Sequence, residues 1–172
     1  MSLNKEISVS DATLAQDTSI PDHSVGMTNG GTFSLSNFRN RNIVLFFYPK
    51  DGTPGCTTES INFRDLYDQF QAANTEVFGV SRDSLRSHEA FKAKLGMPFE
   101  LISDVDEVLC NLFSVIKNRN MYGKQVRGIE RSTFVIDVGG RLVKEWRGLK
   151  VAGHVDDVLA YVRTLPGTES RL

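Results

Sequence analysis

Almost every mark of a membrane, polyanion-binding or secreted protein is missing from these 172 residues. The longest near-continuous apolar run, Ile43 to Tyr48, falls far short of the ~18 residues that a spanning helix needs. Charge of either sign is not in excess. The 20 Lys and Arg are scattered and nearly matched by 21 Asp and Glu, giving a net charge of -1 and a pI of 6.3. That balance argues against nucleic acid or an anionic membrane as a partner, since both require a basic face. The first stretch of chain holds Lys5 but no apolar block of signal-peptide length, so a cytoplasmic location is expected. Cysteine is scarce too. Cys56 and Cys110, far apart in a chain long enough to build its own core, are no disulfide framework. His23, His88 and His154 match no metal-ligand spacing and are expected on the surface or anchoring loops, His154 bracing the last helix.

What is present is a regular alternation of strands and helices. Residues 1–19 are polar and read as a flexible tail or edge strand, residues 20–166 as one domain, and residues 167–172 as a second tail. Asn29-Gly30-Gly31 between two short β-prone segments predicts a hairpin, because Asn-Gly supplies positive φ angles. Ile43 to Tyr48, apolar on both faces, predicts a central strand covered on either side. Phe63, Leu66, Tyr67 and Phe70 form one helical stripe. Strands are expected at Val77 to Ser81, Phe99 to Ile102, Thr133 to Asp137 and Leu142 to Trp146. Helices are expected at Ser84 to Leu95, from Asp104 with a capping-box-like Glu107 through Val108, Leu109, Leu112 and Ile116, and finally over Val155 to Val162. The pattern is that of a three-layer α/β domain with a mixed central sheet.

Chemistry concentrates in Tyr48-Pro49-Lys50-Asp51-Gly52-Thr53-Pro54-Gly55-Cys56-Thr57-Thr58-Glu59. It sets a lone cysteine in the first turn of a helix just after the central strand, where free amides and the helix dipole favour a thiolate. Thr53-Pro54-Gly55-Cys56 is the frame of a Cys-x-x-Cys motif whose first thiol has become a hydroxyl. Dithiol exchange within the motif is lost, while a polar electrophile such as a peroxide oxygen becomes a suitable target. Lys50-Asp51 reads as an ordinary solvated loop, and Phe47, Phe78 and Trp146 as core or pocket rim.

Residues 24–163 resemble the peroxiredoxins, in particular the bacterioferritin-comigratory or PrxQ group. The signature Pro-x-x-x-Thr-x-x-Cys stands as Pro49, Thr53 and Cys56, and the downstream Arg-Ser-Thr-Phe as Arg131-Ser132-Thr133-Phe134. The segments Phe78 to Asp83, Met121 to Lys124, Gly128 to Arg131 and Val151 to His154 also look like the group. The resemblance implies a thioredoxin-like, peroxiredoxin-type fold whose Cys56 attacks a hydroperoxide and becomes a sulfenic acid. It further implies that Thr53 hydrogen-bonds the peroxide, Pro49 shields the sulfur, Arg131 stabilises thiolate and leaving oxygen, and Glu59 orients Arg131. No metal, haem, flavin or other cofactor is called for. Acidity alone is too small a lever: lowering a thiol pKa from ~8.5 to ~6 raises the thiolate fraction at pH 7 only ~30-fold, about 2 kcal/mol. Alignment of the O–O bond and stabilisation of the departing oxyanion must supply the rest.

The chain departs from the group where many members carry a resolving cysteine, since Ile61 and Lys92 occupy those positions. Cys110 is the other candidate, and its place on a helical wheel, roughly 130° from the apolar stripe, suggests an edge or partly exposed site. A one-cysteine cycle resolved by an external thiol (thioredoxin, glutaredoxin or a small thiol) is therefore the expectation, in a monomer or weak homodimer. The alternative is a Cys56–Cys110 disulfide reduced by thioredoxin. Two readings from other classes stay open: a Cys-His hydrolase using His88 or His154, and a thioredoxin-fold binding scaffold without turnover.

Overall fold

The computed structural model describes residues 17–166, so the C-terminal tail and most of the N-terminal one lie outside the described residues. The elements, in chain order, are β1 (Val25–Gly26), β2 (Thr32–Phe33), a 3-10 turn (Leu35–Phe38), β3 (Asn42–Phe47), α1 (Pro54–Asp65), α2 (Tyr67–Ala72), β4 (Thr75–Ser81) and α3 (Leu85–Leu95). They continue as β5 (Glu100–Ser103), α4 (Val108–Leu112), β6 (Ile116–Met121), β7 (Lys124–Ile129), β8 (Ser132–Ile136), β9 (Leu142–Arg147) and α5 (His154–Val162).

The central sheet runs β5-β4-β3-β8-β9. Its β5, β4 and β3 are parallel, whereas β8 and β9 join antiparallel, which makes the sheet mixed. Every residue of β3 is buried, as its two-sided apolar sequence requires. Period-2 alternation then divides the core. Ile43, Leu45 and Phe47 face a cluster closed by Phe33, Leu35, Leu109 and Phe113. Val44, Phe46 and Tyr48 face a second cluster closed by Phe63, Phe70, Phe91, Val155 and Val158 from four helices. The three layers are thus α1, α2, α3 and α5, then the sheet, then the 3-10 turn, α4 and the N-terminal hairpin.

The hairpin turn is as expected, with Asn29 and Gly30 both at φ +69. Bonds from Met27 to Gly31 and from Thr28 to Leu101 close it and tie it to β5. Ser84 caps α3 by accepting from Ser87 N–H, and Gly96 ends the helix at φ +62.

Asp17, Thr18 and Ile20 share backbone hydrogen bonds with the Gly140–Leu142 segment, and Ser19 bridges Arg141 antiparallel. Three expectations are corrected. The stripe from Phe63 to Phe70 belongs to two helices broken at Leu66. The helix expected from Asp104 is only α4, and Ile116 opens a strand instead. The Asp104 carboxylate accepts from the amides of Leu109 and Cys110, while Glu107 adopts φ +59 and pairs with Arg82 and Arg127 rather than forming a capping box. Finally, β6 and β7 form a separate hairpin that the polar sequence did not announce.

Candidate active site

Pro49 and the Lys50–Thr53 loop carry the chain from β3 into α1. Thr53 is the N-cap of α1 in extended conformation, and Pro54 fills the first helical position, where its missing N–H costs nothing. The Thr53 hydroxyl does not cap the helix; it donates to the Lys50 carbonyl at 2.9 Å. The first-turn amides of Gly55 and Cys56 therefore keep no side-chain cap.

Cys56 is a free thiol with no exposed surface. Arg131, just before β8, reaches it from the sheet: Nη2 lies 3.5 Å from Sγ, and Nη1 donates to Glu59 Oε1 at 2.8 Å. Glu59, one helical turn beyond Cys56, is wholly buried, and among the described residues its Oε2 has no partner. Burial pushes its carboxyl up to about 7 against the opposing pull of the Arg131 guanidinium. Arg131 itself is held above its ordinary value because Glu59 and Cys56 together outweigh its own desolvation. Gly55 leaves the room for this approach, since a Cβ there would sit 3.0 Å from Arg131 Nη2.

The sequence-derived set is thus brought together in part. Arg131 joins Cys56 and Glu59, Thr53 lies at the start of the same helix, and Pro49, two residues past β3, is exposed. Gly55 was missed, and only its place beside the cysteine could have drawn attention to it.

The loop before α1 is not the solvated turn expected from Lys50-Asp51. Asp51 accepts from the Tyr48 hydroxyl at 2.7 Å and the Ser87 hydroxyl at 2.7 Å, and pairs with His88 Nδ1 at 2.8 Å. Burial works against its ionised form, but the bonds from His88, Tyr48 and Ser87 prevail and hold the carboxyl below its ordinary value. His88 is buried rather than superficial, its Nε2 facing the Ile102 carbonyl at 2.9 Å. Asp51, Asp83 and His88 lie close enough to hold a cation, but their polar atoms are spent on one another and on Tyr48, Ser81 and Ser87. His154 opens α5 and bonds Thr133 Oγ1 at 2.8 Å; burial lowers it to about 4. Among the described residues neither buried imidazole hydrogen-bonds Cys56, which leaves a Cys-His hydrolase without its base.

Cys110 is corrected from an edge position to a fully buried one. It packs in the cluster on the far side of the sheet from Cys56. Burial first, then the neighbouring Asp104 carboxylate, push its thiol well up.

A buried thiol held by arginine at a helix start, on a mixed sheet, defines a thiol-dependent peroxidase of thioredoxin-like fold. The AhpC/TSA family model matches residues 16–145, and the chain belongs to that family, the peroxiredoxins. It is 48% identical over 155 residues to peroxiredoxin Bcp of Xanthomonas campestris pv. campestris, spanning 90% of this chain and 97% of that protein. Peroxiredoxin Bcp of Bacillus subtilis is 45% identical, over 84% of this chain and 92% of its own. A solved cysteine-to-serine variant of Xylella fastidiosa PrxQ superposes with a TM-score of 0.85 at 42% identity, covering 89% of this chain and 98% of that one. The chain is thus a peroxiredoxin of the bacterioferritin-comigratory or PrxQ group.

Proposed function

We propose that the protein reduces hydrogen peroxide and organic hydroperoxides through Cys56 alone, with an external thiol completing the cycle. The observation that carries this reading is the guanidinium of Arg131 shared between Cys56 Sγ and Glu59. The Cys56 thiolate attacks the nearer peroxide oxygen; the S–O bond forms as the O–O bond breaks, and the departing alkoxide or hydroxide takes a proton to leave as alcohol or water. Arg131 and the first-turn amides of α1 stabilise the charge on the leaving oxygen. The Thr53 hydroxyl proton is committed to Lys50, so its oxygen is left to accept the peroxide O–H. A trapped complex of the Xanthomonas campestris protein, 48% identical, concerns alkyl peroxide reduction, which favours organic hydroperoxides among the substrates.

Resolution by an external thiol is supported by the sheet that separates Cys110 from Cys56. A disulfide needs Cα atoms within about 7 Å, which two thiols packed on opposite faces of a sheet do not offer without unfolding. The test is to mix reduced protein with one equivalent of hydrogen peroxide and a sulfenic-acid trap, then map the peptides by mass. An adduct on Cys56 with Cys110 still a thiol is expected. A Cys56–Cys110 disulfide would overturn the one-cysteine cycle, and an unmodified Cys56 the peroxidase site itself.

A further inference from the structure

The turn that leads into α1 hangs on one peptide group. Lys50 to Thr53 close at the Lys50 carbonyl, which accepts from the Thr53 N–H at 3.5 Å and from the Thr53 hydroxyl at 2.9 Å. Gly52 holds φ +81, the value that the third position of a type II turn demands. The peptide unit that carries this carbonyl bears the Asp51 N–H on its other edge, and that N–H donates to Asp83 Oδ2 at 2.9 Å. A trans peptide is a rigid plate whose N–H and C=O point in opposite directions. Fixing the N–H therefore fixes the carbonyl, and the carbonyl in turn directs the Thr53 hydroxyl.

Asp83 is well placed to act as the fixed end of this chain of bonds. It stands two residues past β4, where the Ser81 hydroxyl donates to its Oδ2 at 2.5 Å and its own N–H donates back to Ser81 Oγ at 3.1 Å. Its carbonyl accepts from the Ser103 hydroxyl at 2.6 Å. Ser81 and Ser103 are buried partners in the parallel register of β4 and β5. Asp83 is thus tied to the ends of two sheet strands, whereas Asp51 belongs to a loop. The bonds from Tyr48, Ser87 and His88 hold the Asp51 carboxyl end; the bond to Asp83 acts on the peptide plane itself. Among the described residues Asp83 shares no hydrogen bond with Cys56, Thr53 or Arg131, so its lever is orientation.

From this shared peptide we propose that Asp83 is a positioning residue for peroxide reduction: through the Asp51 N–H it fixes the Lys50 carbonyl, and through that carbonyl the direction in which the Thr53 oxygen accepts the peroxide O–H. The proposal rests on the reading of Thr53 given above. A hydroxyl is a free rotor until its proton has a fixed acceptor, and only then do its lone pairs keep a fixed direction. Thr53 is the N-cap of the helix whose first turn holds Cys56, and its own carbonyl accepts from Thr57 N–H, so its backbone stays in place while the hydroxyl is steered. In-line attack on an O–O bond is sensitive to such steering, since small misplacement of a reactant costs large factors in rate.

The test measures the rate of Cys56 oxidation by hydrogen peroxide in the full chain and in Asp83→Ala, Asp83→Asn, Thr53→Val and the Asp83→Ala, Thr53→Val double variant. Asp83→Ala should slow oxidation about tenfold. Asp83→Asn keeps an oxygen toward the Asp51 N–H and should stay within about threefold. In the Thr53→Val background, itself slow, Asp83→Ala should change the rate by less than about twofold, because the group it steers is gone. Methyl methanethiosulfonate has no O–H to offer Thr53 and should modify Cys56 equally fast in every variant, as read by peptide mass. Asp83→Ser, whose hydroxyl is too short to reach the Asp51 N–H, replaces the alanine variant should that one not fold, with the same loss expected. Full-rate oxidation in Asp83→Ala or Asp83→Ser would overturn the proposal. So would a loss that multiplies with that of Thr53→Val, or one shared by the thiosulfonate. An unchanged rate in Thr53→Val would instead remove the reading of Thr53, and the positioning role with it.

Discussion

At Gly55 a single hydrogen in place of a methyl group decides where Arg131 rests. The Gly55→Ala side chain would meet Nη2 at 3.0 Å, and that nitrogen's neighbour is pinned by Glu59. We expect about a tenfold slower oxidation of Cys56 by hydrogen peroxide, roughly 1.4 kcal/mol, with melting temperature held or slightly raised by the better helix former. Stopped-flow rates beside thermal melts check this; an unchanged rate would show that the arginine tolerates displacement. Glu59 offers a second test. Its carboxyl is raised to about 7, so the folded state holds a proton that the unfolded chain releases near pH 4.5. That contribution is present below about pH 4.5 and lost as pH rises through about 7. The stability gap between Glu59→Gln and the unaltered protein should therefore move in favour of Gln between pH 5 and pH 8, by on the order of 2 kcal/mol. Urea titrations across that range read it, and a constant gap would refute it. Cys56 and Thr53 were singled out by a helix start and the Thr-x-x-Cys frame, whereas Arg131 entered only through the resemblance to the peroxiredoxins. Gly55 was not singled out, because its role is set by a side chain far along the sequence.

At the scale of elements, the loop into α1 is held by α3 through Asp51, His88 and Ser87. Asp51→Asn removes a carboxylate that accepts from Tyr48 and Ser87 and pairs with His88, and should destabilise by about 1–3 kcal/mol. The Asp51 carboxyl is depressed when folded, so its contribution is present above pH ~4 and lost as pH falls through that lower value. The Asn variant should lack this acid-side decline, and its α1 amides should exchange faster by hydrogen-exchange mass spectrometry. Unchanged exchange would confine the network to local packing. The sequence allowed His88 a loop-anchoring place but did not show which loop it holds, because Lys-Asp after a strand reads as solvated. β3 was legible from its two-sided apolar run and α5 from its apolar stripe. The β6–β7 hairpin was not, because eleven consecutive exposed residues carry no inside-outside alternation to read.

For the molecule as a whole, the mixed sheet is a partition. Cys56 packs on one face and Cys110 on the other, with β3 and β8 contributing to both clusters. Cys110→Ser should leave peroxide turnover with dithiothreitol unchanged within about twofold, while a buried hydroxyl in place of sulfur lowers thermal stability. Loss of turnover in a folded Cys110→Ser protein would return the second cysteine to the cycle. The wheel angle that placed Cys110 at an edge assumed a long helix; once α4 proved to be five residues, Phe113 and Val115 closed over it instead.

The complete burial of Cys56 also sets an order of events in time. A molecule two oxygens across asks little of the chain to reach the sulfur, whereas a disulfide such as oxidised glutathione, or a protein, needs the first turn of α1 to open. The resting enzyme is thereby kept on standby. Ambient disulfides that would consume an open thiolate by exchange are held off, and the sulfur stays unspent until a peroxide arrives.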